Sequence, residues 1–127
     1  MLNSMEDMKV LWNPENLGMS DIPDASGVSE YERFIKRICG KAGRRINKLI
    51  PSGSFNTESE ALLSAEIEFA QVFVLEHLWM LKAAGSEKQI EMPGGFKISL
   101  QEFTSEDYEH LMTAHIYNAE RELSDYE

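Results

Sequence analysis

The sequence predicts an all-α fold, a small helical bundle around a long central helix with a short β-hairpin before the C-terminal helix. Three observations carry this. Apolar residues recur at three- and four-residue steps in three separate stretches, which is the period of one helix face. Each stretch opens on a capping signal. Between the second and third stretches the apolar period drops to two around Pro93-Gly94-Gly95, as two short strands joined by a turn require.

The elements follow in order. Met5 to Trp12 suits a short helix, but Asn13-Pro14, Gly18, Ile22-Pro23 and Ser26-Gly27 interrupt what comes next. Leu11, Trp12, Leu17, Met19 and Ile22 are more apolar than a disordered tail needs, so residues 1–27 are expected to be a partly irregular arm that docks. Residues 28–127 then form the helical domain. Ser29-Glu30-Tyr31-Glu32 has the form of a capping box, and Tyr31, Phe34, Ile35, Ile38, Cys39, Ala42, Ile46 and Leu49 give the first long helix its apolar face. Pro51 and Gly53 close that helix.

Thr57-Glu58-Ser59-Glu60 repeats the capping signature, and a helix runs from there to Ala84, with Gly85 as its left-handed cap. From Phe69 to Leu81 its apolar groups point nearly all round, so it must be covered on every side by the other helices or by neighbouring subunits. Ile90 and Met92, then Phe96, Ile98 and Leu100, mark the inner face of the hairpin, leaving Lys97 and Ser99 for the outer one. A lone hairpin is marginal in water and needs helices or a partner to lie on. Thr104 or Ser105 caps the last helix, where Glu106 and Asp107 suit the dipole. Its stripe is Tyr108, Leu111, Met112, His115, Ile116, Ala119 and Leu123.

Composition excludes several function classes. The 127 residues make one domain, and 43% hydrophobic content is enough for a core. With 22 acidic and 12 basic residues the formal charge is −10, which argues against a surface that clings to phosphate over its whole extent. Cys39 is the sole cysteine, so no internal disulfide and no Cys-rich zinc site can form. The first residues lack the basic and apolar segments of a signal peptide, and the most apolar window falls short of a membrane span. A soluble protein made in a reducing compartment is expected.

No catalytic set emerges. Asp107 and His110 can share a helix face, but five residues at about 100° each turn His115 away from His110. Glu76 and His77 are adjacent, unlike the Glu-x-x-His spacing of a di-metal bundle. Cys39 lies on an apolar face, where cysteine behaves as a small hydrophobe. Gly40 and Gly43, and later Gly94 and Gly95, lack the spacing and the strand-to-helix setting of a phosphate loop; Gly40-x-x-Gly43 instead allows another helix to approach, or weakens its own. The expectation is no enzyme, no metal and no cofactor.

Charge segregation is the non-random feature. Arg33, Lys36, Arg37, Lys41, Arg44, Arg45 and Lys48 face only Glu30 and Glu32 within residues 28–50, a local +5 that leaves −15 for the remainder. Three uses stay open: a solvated helix face, contact with the acidic surface of an identical neighbour, or contact with DNA. A small helical DNA-binding regulator using the basic face of residues 33–48 is the alternative function.

A basic helix with Ile46-Asn47-Lys48-Leu49-Ile50 near its end, a long helix carrying Ala61, Ala65 and Ala70, a Gly-containing hairpin and a C-terminal helix follow one another. This order resembles the head–tail connector (adaptor, or head-completion) proteins of tailed bacteriophages and prophages. Gly94-Gly95-Phe96-Lys97-Ile98-Ser99 and the helix ending Ala119-Glu120-Arg121-Glu122-Leu123 are similar to the second half of those proteins, and the resemblance covers about residues 28–126. It implies a non-enzymatic virion protein in the neck between head and tail: a ring of about twelve copies. The ring would dock under the portal, extend the channel for passing genomic DNA without sequence specificity, and offer a tail or second neck protein its docking surface. It implies no cofactor and no membrane. Carried onto this chain, the hairpin contact is Gly94, Gly95, Phe96, Lys97 and Ile98, and the subunit or DNA contact is the basic face. The arm is longer and richer in proline than the family pattern.

Overall fold

A computed structural model describes residues 5–50 and 60–126 of the chain. The described residues form five α-helices and one antiparallel two-stranded hairpin. In chain order they are α1 (Met5–Leu11), α2 (Pro14–Leu17), α3 (Glu30–Leu49), α4 (Glu60–Ala83), β1 (Gln89–Glu91), β2 (Lys97–Ser99) and α5 (Ser105–Tyr126). A 3-10 turn at Leu100–Glu102 links β2 to α5. No helix among the described residues is long and apolar enough to cross a membrane.

Local chemistry sets the helix ends. The Ser29 hydroxyl accepts from Glu32 N at 3.1 Å and donates to Asp21 at 2.8 Å, so the cap of α3 also anchors the preceding loop. Ile50 leaves the helix in extended geometry (φ −123°, ψ 132°), as a residue preceding proline must. Gly85, at φ +88°, ends α4 in a Schellman motif: its N–H bonds Lys82 O, and Ser86 N bonds Leu81 O. Thr104, not Ser105, caps α5. Its hydroxyl accepts from Asp107 N at 3.0 Å while Asp107 accepts from Thr104 N at 3.3 Å, a capping box closed by aspartate. The expected caps around Thr57 and the stop at Pro51 and Gly53 lie outside the described residues.

α4 is the middle of the bundle, about 36 Å long at 1.5 Å per residue. It packs against α3 on one flank and α5 on the other, and α1 reaches it as well. Phe69, Ala70, Val72, Val74, Leu75 and Leu78 are all buried. The expected all-round cover fails at Met80, which is 63% exposed. The stripe of α5 closes the far side, with Ala119 and Leu123 buried and the rest half-buried.

Residues 5–19 belong to this same core. Met8, Trp12 and Leu17 are each no more than 1% exposed. Trp12 donates from Nε1 to Gln71 of α4 at 3.3 Å, and its carbonyl accepts from the Tyr31 hydroxyl at 2.6 Å. The Asn13-Pro14 break is itself a helix start, since the Asn13 side chain accepts from Asn16 N and Pro14 stands in the first turn. Ile22 does not dock; it is 79% exposed.

The two glycines of α3 differ. A Cβ on Gly43 would stand 3.4 Å from the buried Glu66 carboxylate of α4, so Gly43 is where the two helices approach closely. At Gly40 the nearest atom would be the mobile end of Arg44, at 3.6 Å. Gly40→Ala is therefore expected to stabilise the chain by up to ~1 kcal/mol through helix propensity, and Gly43→Ala by clearly less. Thermal melts of the two variants beside the parent check this order.

The hairpin pairs Gln89 with Ser99, Ile90 with Ile98 and Glu91 with Lys97. Met92 N bonds Phe96 O and Gly95 N bonds Met92 O, so Pro93-Gly94-Gly95 is a three-residue loop. Gly94 and Gly95 both hold positive φ (105° and 92°), a conformation that resists side chains. Gln101 ties the end of the hairpin to the end of α4: it accepts from Lys82 Nζ at 3.0 Å and donates to Ser86 O, just past the helix, at 2.6 Å.

Candidate functional site

The seven predicted cations of α3 fall into two groups and an outlier. Arg33 is engaged by Asp24 and Ser26 of the preceding loop. The Ser26 hydroxyl, then Arg33, hold the Asp24 carboxyl well below the usual carboxylate range. Arg37 lies over the Phe34 ring at 5.6 Å. Both arginines line a cleft of about 440 Å³ that also takes in His77 of α4 and Lys88 before β1. Lys36 is exposed outside either depression.

The second group is denser. Lys41, Arg44, Arg45 and Lys48 line a groove with Leu49 and Phe73, and among the described residues no acidic side chain is among its walls. Lys41 sits 5.5 Å over Phe73, and Arg45 sits 5.0 Å over Phe69, so aromatic faces of α4 hold two of the four charges in place. Leu49, expected in the core, is 56% exposed on this groove, while Ile50 is buried. The cation at Lys48 also suits the C-terminal end of the α3 dipole.

The predicted hairpin contact forms a separate surface. Phe96, expected on the inner face, is 59% exposed because it lies beyond the last ladder pair, at the tip. With Met92, Ile98, Phe103 and Leu111 it edges an apolar depression where Asp107 and His110 provide the polar rim. Lys97 is exposed, and Ile98 is half-buried. None of these residues lines the cation groove.

Sequence reasoning did not single out the outward face of α5. Glu106, Glu109, His110, Thr113 and Tyr117 edge a shallow depression there, and Tyr117 is 65% exposed. An aromatic residue lying off the apolar stripe, between acids, is the signal that marks it.

The histidines are dispersed. His115 Nδ1 meets Glu68 at 2.6 Å across the α4–α5 contact, and His77 packs on Phe34 with ring centroids 4.7 Å apart. Among the described residues no group of three or more His, Cys, Asp or Glu side chains is placed to hold a metal ion. Cys39 is buried.

Burial lowers the His77 pKa below its ordinary 6.5, and the charges of Arg37 and Lys88 act the same way. The folded chain therefore holds this ring neutral at a pH where the unfolded chain already binds a proton. The His77 contribution to stability is therefore lost as pH drops below 6.5. His77→Gln should lessen the loss between about pH 7.5 and about pH 5, read from urea midpoints; an unchanged loss would contradict the assignment.

Comparison with protein-family models, with curated proteins and with solved structures returned no match.

Proposed function

We propose that this chain is a structural subunit of a tailed-phage neck, a head–tail connector that assembles as a closed ring beneath the portal. In that role it extends the DNA channel and gives the tail, or a second neck protein, a surface to dock on. One observation carries the proposal: the order of a basic amphipathic α3, a long central α4, a glycine-turned hairpin and α5, which is the order of the connector proteins it resembles.

Charge supports the same reading. A channel wall dominated by carboxylates lets DNA slide, since cations on the wall would hold phosphates. Seven of the twelve cations are gathered on α3, where they are available to an acidic protein neighbour, and the rest of the chain leaves carboxylates for a channel wall. The exposed Phe96 tip and the apolar depression beside it supply a second contact, toward portal or tail.

The test is to mix the purified chain with the portal complex of its own genome and image the product by negative stain. A ring capping one end of the portal is expected. A chain that stays free of the portal contradicts the proposal. A DNA-binding regulator would instead bind duplex DNA with steep salt dependence, reduced by charge reversal at Arg44 and Arg45.

A further inference from the structure

The cations of α3 and the acids of α5 lie on different flanks of α4. Phe73 and His77 of α4 meet Lys41 and Phe34 of α3, whereas Glu68 and Trp79 meet His115 and Tyr108 of α5. At 100° per residue, Phe73 stands roughly 120–140° around the helix from Glu68 and Trp79. Thus α3 and α5 are outer layers on either side of α4, and their exposed faces point away from one another.

The two faces are complementary. On α3, Lys41, Arg44, Arg45 and Lys48 surround a groove of about 400 Å³ in which, among the described residues, Phe73 and Leu49 are the apolar surface. Positions 106, 109, 113, 117 and 120 of α5 recur at three- and four-residue steps, so Glu106, Glu109 and Glu120 flank Tyr117 along one exposed row. From residue 105 to 126 the sequence carries six acids and one arginine.

We infer that the α3 groove receives the exposed α5 face of a second copy of this chain, with Tyr117 against Phe73 and Leu49 and the glutamates among the four cations. The inference rests on the connector reading only in requiring that copies associate. Donor and acceptor are different surfaces, so the contact is heterologous. A docked pair leaves one groove and one α5 face free, so the contact repeats, and a rotation that closes makes it a ring. Duplex DNA is the weaker occupant, because the groove belongs to a chain whose residues outside 28–50 sum to −15 and repel phosphate, whereas α5 of a neighbour brings opposite charge and an aromatic anchor.

Two charge-reversed chains test this: Arg44→Glu with Arg45→Glu, and Glu106→Lys with Glu109→Lys. All four positions are exposed, so both chains should fold, which circular dichroism verifies. By particle mass, the wild type is expected to associate at low salt and to weaken at least about tenfold at high salt. Each variant alone should stay monomeric, and an equal mixture should associate again, since each variant then supplies the face the other needs.

Zero-length carbodiimide coupling of isotope-labelled with unlabelled wild type should join Lys41 or Lys48 of one copy to Glu106, Glu109 or Glu120 of another. Absence of both association and inter-copy links in the wild type overturns the inference. If wild type and both single variants assemble alike, this interface is wrong while the ring stands. A mixture that stops at dimers supports the docking, because each mixed pair contains one unaltered groove and one unaltered α5 face. Duplex DNA binding that the arginine reversal abolishes, with association unchanged, overturns the inference in favour of a DNA groove.

Discussion

Removal of residues 1–27 is expected to leave a chain that does not fold by itself. Met8, Trp12 and Leu17 are buried to 1% exposure or less, and full burial of such side chains is worth about 1.5–3 kcal/mol each, more for tryptophan. The combined loss is on the order of the whole net stability of a domain, about 5–15 kcal/mol. Two polar groups lose their partners besides: Gln71, which accepts from the Trp12 indole, and the Tyr31 hydroxyl, which donates to the Trp12 carbonyl. Burial, with nearby acidic charge, already pushes the Tyr31 phenol up to about 12, so it stays a donor at any ordinary pH. Urea unfolding of the 28–127 fragment, followed by far-UV circular dichroism, is the check. A cooperative transition with the parent's midpoint would show that residues 5–19 merely decorate the bundle.

Phe69→Ala is the second large expectation, costing about 3–5 kcal/mol through lost burial and the cavity it leaves between α3 and α4. Phe69 is fully buried and also carries Arg45 on its face, so the variant should loosen the groove as well as the core. Met80→Ala, on the same helix but 63% exposed, is expected to stay within about 0.5 kcal/mol of the parent. Equal destabilisation by both changes would mean that α4 is covered evenly, which is not the packing described.

Local signals were the legible part of the fold. Ser29 caps α3 and Gly85 ends α4 as their spacing implies, and of the two candidate caps of α5 it is Thr104 that closes, paired with Asp107. The helical order and the hairpin followed from apolar period alone. What stayed hidden depends on distant partners. Trp12 meets Gln71 across 59 residues, so Asn13-Pro14 read as an interruption, although it starts a helical turn that brings Leu17 into the core. Leu49 obeys the period of α3 yet is exposed, and Ile50 is buried after the helix has ended; periodicity cannot register that exchange.

The candidate surface was legible in the same uneven way. All seven cations of α3 could be named from sequence, but not the separation of Arg33 and Arg37, in a cleft with His77, from the Lys41–Lys48 groove, which takes in Phe73. Tyr117 lies off the apolar stripe, which marks only what a helix buries, and faces outward.

The central claim is that copies of this chain close into a ring, and particle mass across ionic strength tests it most directly. Native mass spectrometry of the full chain, alone and on its portal, should give at low salt a species of about twelve times the 14.5 kDa monomer, dispersing as salt rises. A 14.5 kDa particle under every condition, with or without portal, would contradict the account.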